Sequence, residues 1–96
     1  MIHEDDRRIL EDWPEAKFIK AKKDCVLGDH YHKVKTEIFI LVSGYAILTI
    51  NSHVRVMEIG KLYPVLPGNR HTFDLTAGSV LIGLCSHEYD PEDDYK

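Results

Sequence analysis

Two cysteines, four prolines and a single tryptophan are all that 96 residues hold of these types. Two cysteines cannot staple a small fold into a disulfide framework, so stability must come from a packed core. Cys25 and Cys85 are expected to be small buried apolar residues rather than redox groups. No apolar run approaches the ~20 residues of a membrane span, and the first residues, MIHEDDRRILEDW, lack the hydrophobic stretch of a signal peptide. A cytoplasmic protein without membrane contact is expected. Positive charge is not in excess either. The formal net charge is −4, which argues against nucleic acid as a partner. Repeats, linkers and low-complexity segments are missing as well.

What is there is an ordinary globular composition, 44% hydrophobic and 29% charged. The length sets one domain over 1–96, with a core barrel over about 16–86, an N-terminal segment 1–15 and an acidic tail 87–96. Charge is unevenly placed. Lys17, Lys20, Lys22, Lys23, Lys33 and Lys35 crowd one stretch, while both ends are acidic. These are either solvated surface charges or a basic rim that attracts an anionic substrate such as a phosphate ester.

From Ala16 onward, short apolar runs alternate with turn residues, the pattern of an all-β sandwich or barrel. The expected strands are 17–22, 30–33, 37–42, 45–50, 54–58, 62–66, 70–75 and 80–85. Ser43-Gly44 is expected to turn a hairpin, as is Asn51-Ser52, and a short helical turn is expected before Pro14. The run EIFILV is apolar at both parities. Such a strand needs cover on both faces, supplied by a second sheet, by the N-terminal segment around Trp13 and Phe18, or by a partner subunit. A homodimer is therefore expected. The tail 88–96 is too polar to pack alone, and disorder is expected at its tip.

The chemistry is concentrated in four residues. Residues i and i+2 of a strand share a face, so His30 and His32 point the same way with Tyr31 opposed. Glu37 opens the next strand, and His71 follows the Pro67-Gly68 turn. Three imidazoles and a carboxylate suit Fe, Mn, Ni, Co or Zn. Two histidines facing one interior point are costly to bury unless something bonds to both. His3, His53 and His87 are expected to be satisfied core histidines.

HYHKVKTEIFILVSG reads H-x-H-x4-E-x6-G and resembles the first motif of the cupins, and LPGNRHTFDL resembles the second. The resemblance implies a double-stranded β-helix, or jelly-roll barrel. It carries the four metal ligands onto His30, His32, Glu37 and His71, and the turn glycine onto Gly44. Asp24, Leu66 and Leu75 depart from the motifs without removing a ligand. A narrower resemblance, through GDHYHKVKTEIFILVSG and YDPEDDY, is to cupins that isomerise or epimerise nucleotide-linked sugars. In its metal-free ketoisomerases the Glu position is not acidic, so Glu37 favours a metal.

The function implied is a metal-binding cupin that isomerises or epimerises a sugar, sugar phosphate or nucleotide sugar. His30, His32 and Glu37 are the candidate catalytic residues. Lys35 and Arg70, with Lys33, are placed to hold an anionic group, and Phe39 and Phe73 to line a pocket. An Fe- or Mn-dependent dioxygenase and a non-catalytic ligand-binding cupin are the alternatives.

Overall fold

A computed structural model describes residues 2–13, 16–86, 91–93 and 95, with the side chains of residues 3, 10–13, 29 and 91 left undescribed. Among the described residues ten strands form: β1 (Ile2–Glu4), β2 (Arg8–Trp13), β3 (Ala16–Ala21), β4 (Cys25–His30), β5 (Glu37–Ser43), β6 (Ala46–Ile50), β7 (His53–Val56), β8 (Leu62–Val65), β9 (His71–Leu75) and β10 (Val80–Cys85). They make two antiparallel sheets, ordered β1-β2-β3-β10-β5-β8 and β4-β9-β6-β7. Among the described residues no helix is long and apolar enough to cross a membrane.

Alternation along each strand sends one set of side chains between the sheets, and cross-strand pairing sorts that set into layers. In the four-stranded sheet the layers run Ala46, Leu75, Cys25, then Leu48, Phe73, Leu27, then Ile50, His71, His30. In the facing sheet Leu41 pairs with Leu81, Phe39 with Gly83 and Tyr63, and Glu37 with Cys85 and Val65. One end of the barrel is aliphatic, the middle is aromatic, and the other end carries Glu37 and the histidines.

Several expectations need correction. The N-terminal residues form the hairpin β1–β2 instead of a helical turn, because β2 pairs along the edge of β3 from Arg8↔Ala21 to Trp13↔Ala16. Tertiary pairing overrides local propensity here; Pro14 lies outside the described residues. The strand expected at 30–33 runs instead over Cys25–His30. Gly28 has a φ of 97°, and the register with β9 shifts between Gly28 and His30. A Cβ at Gly28 would stand 2.8 Å from the His71 carbonyl oxygen. The bulge thus bends the chain so closely onto β9 that glycine is required.

Ser43-Gly44 does not close a hairpin. Its strands, β5 and β6, belong to different sheets, and Gly44 (φ 91°) turns the chain across from one to the other. A Cβ there would lie 2.6 Å from the Ser79 Cα. Asn51-Ser52 does join paired strands, with Ile50 opposite His53. His53 is exposed on β7 rather than a core histidine. The side chain of His3, and all of His87, lie outside the described residues.

The outer face of the larger sheet carries Phe18, Ile82, Ile40 and Leu62 as one continuous cross-strand row. Phe18 and Leu62 are exposed. The Trp13 side chain lies outside the described residues.

Candidate metal centre

The four expected ligands come from four places in the chain. His30 ends β4, His32 sits just beyond it, Glu37 opens β5 and His71 opens β9. All four meet, with one ligand atom from each within 4.8 Å of every other. His30 Nε2 is 3.1 Å from His71 Nε2. Glu37 Oε1 is 3.1 Å from His32 Nε2 and 3.6 Å from His71 Nε2. Glu37, His32 and His71 are buried; His30 is half-buried.

Backbone carbonyls fix which way two of the rings face. His32 Nδ1 lies 2.6 Å from the Asp93 carbonyl, and His71 Nδ1 lies 3.2 Å from the Asn69 carbonyl. A carbonyl only accepts, so each Nδ1 donates its proton outward, and each ring turns its Nε2 inward. The Asn69 loop is itself held. Asn51 accepts from the Arg70 backbone N–H and donates to the Asn69 side-chain oxygen, and Gly68 N–H donates to the His32 carbonyl. The two motifs are tied together at their backbones.

This geometry leaves lone pairs facing each other. His32 Nε2 and Glu37 Oε1 are buried and make no hydrogen bond. Such a pairing is costly unless a cation sits between. Neighbouring ligands bonded at ~2.1 Å to one ion stand about 3.0–3.4 Å apart, close to the separations seen here. The four residues fit a divalent metal. Anchored Nδ1 atoms are the usual outer support of metal-bound histidine.

Glu37's other oxygen is engaged. Lys17 Nζ is 2.6 Å from Oε2, and the Cys85 thiol lies 3.6 Å away. Burial raises the Glu37 pKa, while the Lys17 ammonium on Oε2 and the charge of Lys35 pull it below the usual carboxylate range. Burial lowers the pKa of His71, against the Asn69 carbonyl and Glu37, and so favours the neutral ring. Lys17 reaches Glu37 across Gly83 and beneath Phe39. Its ammonium is 5.3 Å from the Phe39 ring centroid, and a Cβ at Gly83 would stand 3.0 Å from both Lys17 Cε and Phe39 Cε1.

The remaining candidates are placed as follows. Lys35 is buried, and its charge acts on Glu37. Arg70 lies over the Tyr31 ring, 5.5 Å from its centroid. Phe39 and Phe73, 1% and 3% exposed, pack edge to face at 4.6 Å and form the floor beneath His71. Cys25 and Cys85 are half-buried free thiols rather than fully buried ones, and burial pushes both pKa values up. Lys17, Asn69 and Asp93 escaped sequence reasoning. Lys17 was visible only as one lysine of a basic stretch, and for a supporting backbone carbonyl the side-chain pattern gives no signal.

The tail also needs correction. Described residues 91–93 and 95 are docked: Asp93 is buried, and Tyr95 pairs with Tyr31. Residues 88–90, 94 and 96 lie outside the described residues.

A two-sheet β-barrel with three histidines and a glutamate turned into one end is a jelly roll built around a metal-type site. That jelly roll is the cupin fold. Solved structures agree on the fold. CapF from Staphylococcus aureus, a capsular polysaccharide assembling protein, superposes with a TM-score of 0.83 at 19% identity over 99% of this chain. KdgF from Halomonas sp. gives 0.80 at 17% identity, covering 96% of this chain and 92% of its own. A 3,4-ketoisomerase from Helicobacter canadensis gives 0.75 at 17%, covering 82% of this chain and 65% of its own. The chain spans about a third of the length of CapF, 31%. No family model and no curated protein matches the sequence.

Proposed function

We propose that this cupin holds one divalent ion through His30, His32, Glu37 and His71 and isomerises or epimerises a sugar, sugar phosphate or nucleotide sugar. The observation that carries the reading is the inward convergence of ligand atoms with two of them buried and unsatisfied. An ion bound there supplies Lewis acidity toward a carbonyl or hydroxyl oxygen.

This chain's own residues support a polar, anionic substrate over an apolar one. Lys17 and Lys35 bring positive charge beside the ligands, whereas Lys33 and Arg70 are engaged with the Tyr95 and Tyr31 rings on the outside of the ligand loop. Phe39 and Phe73 are buried in the core floor, so neither offers an open apolar wall to a substrate. Glu37 has Oε1 toward the imidazoles and Oε2 on Lys17, so we assign it a ligand role rather than that of a free base. His30, the most exposed of the four, is where a substrate from solvent first meets the site. The resemblance in fold to a ketoisomerase and to CapF supports sugar chemistry by analogy only.

The test is to incubate the metal-loaded protein with sugar phosphates and nucleotide sugars in D2O. Deuterium incorporation at carbon without oxygen uptake is the expected result. Oxygen uptake would favour the dioxygenase, and tight binding without turnover a sensor. We also propose a homodimer in the cytoplasm, with a second copy covering the Phe18–Ile82–Ile40–Leu62 row; light scattering that gives a monomer mass would refute the dimer.

A further inference from the structure

We propose that the C-terminal segment is a built-in clasp for the metal centre, with Asp93 as a positioning residue that acts through His32. The inference rests on the metal reading above. Asp93 lies 61 residues from His32 in sequence, yet its backbone carbonyl is the acceptor that sets the His32 ring. Its carboxylate accepts from three consecutive backbone N–H groups, Lys33 at 2.8 Å, Val34 at 3.1 Å and Lys35 at 3.3 Å. Those residues are the loop between the ligands His32 and Glu37. One residue therefore fixes the tautomer of one ligand and the course of the chain to the next.

The segment is held in place by a stack. Tyr95 and Tyr31 exchange two backbone hydrogen bonds, at 2.9 and 3.0 Å, and their rings stack at 5.3 Å. Lys33 Nζ lies 4.3 Å from the Tyr95 centroid, and Arg70 covers Tyr31 from the β9 side. Tyr31 is the residue that points away from the site, so the stack grips the outside of the loop whose inside bears the ligands. None of the described tail residues belongs to the apolar core. The bonds of Asp93 and Tyr95 described here go to residues 31–35, which ties these two residues to the ligand loop.

The experiment is a double-mutant cycle on Co2+ affinity, using metal-stripped full-length protein and the visible Co2+ spectrum as a second readout. Asp93→Ala should weaken Co2+ binding about 10- to 100-fold and shift the spectrum, the usual cost of losing an outer support. In the His32→Ala background the same change should weaken binding clearly less than in the wild type, because the backbone carbonyl that the carboxylate seats no longer has a ring to orient and only the hold on the loop to Glu37 is lost. Equal losses in both backgrounds, or unchanged affinity and spectrum in Asp93→Ala, would overturn the clasp while leaving the metal reading intact. If the wild-type chain takes up no Co2+, the metal reading fails and takes the clasp with it. Should Asp93→Ala not fold, the cycle is run with Asp93→Asn, which keeps one acceptor oxygen; a smaller loss that again shrinks without His32 is the supporting result.

Discussion

The two ends of this barrel are built on the same strands and have opposite chemistry. At one end Leu41, Leu81, Ala21, Leu75 and Ala46 close a dry aliphatic layer. At the other, two residues further along β5 and β9 from the aromatic layer, the inward positions hold Glu37 and His71, with His30, His32 and Lys17 around them. Burying the aliphatic end stabilises the fold through the area it removes from water. Burying the polar end costs free energy unless each lone pair and charge finds a partner. The barrel's stability thus comes from one end and its chemistry from the other.

The sharpest way to break this contrast is to open the aliphatic end. Leu81→Ala should cost about 2–5 kcal/mol in urea unfolding, while metal affinity of the folded protein is unchanged. Next is the ion pair. Lys17→Met leaves Glu37 buried without its cation and should cost about 3 kcal/mol in the metal-free protein. Changing both, Lys17→Met with Glu37→Leu, should restore metal-free stability to wild type or above and weaken metal binding. A double variant as unstable as the single one would contradict the view that the pair is kept for function.

Acid should distinguish the ends as well. The His71 pKa is lowered by burial, so the unfolded chain takes up that proton first. Its contribution is complete above about pH 6.5 and is lost as pH falls below it. Glu37, also depressed, adds a second loss below about pH 4. Unfolding of the metal-free protein across pH should show both stages. His71→Gln should remove the first, and Leu81→Ala should keep both with the whole curve lowered. The smallest expected effect belongs to Gly83→Ala. Its Cβ would push Lys17 off its path to Glu37, at about 1 kcal/mol and a few-fold loss of metal affinity, read by the same titrations.

Much of this was legible in the sequence because it is periodic or local. Alternation locates β3 and β5 to β10 within a residue or two, and H-x-H-x4-E with a distant His71 picks out the four residues that converge. What was not legible depends on distant partners. The hairpin β1–β2 exists because β3 offers an edge. β4 starts early, with Gly28 and Asp29 inside it, because a bulge against β9 accommodates them. Ser43-Gly44 has the look of a hairpin turn, and only the assignment of β5 and β6 to different sheets shows it to be a crossing. Asp93 meets His32 across 61 residues through a backbone carbonyl, which every residue possesses and no pattern marks.

Elemental analysis of the purified full-length protein, beside His30→Ala/His71→Ala, tests the central claim most directly. We predict close to one divalent ion per wild-type chain and none in a double variant that keeps its β-sheet circular dichroism. A wild-type chain that takes up no ion when offered Mn, Fe, Co, Ni or Zn, or a double variant that retains one, would contradict it.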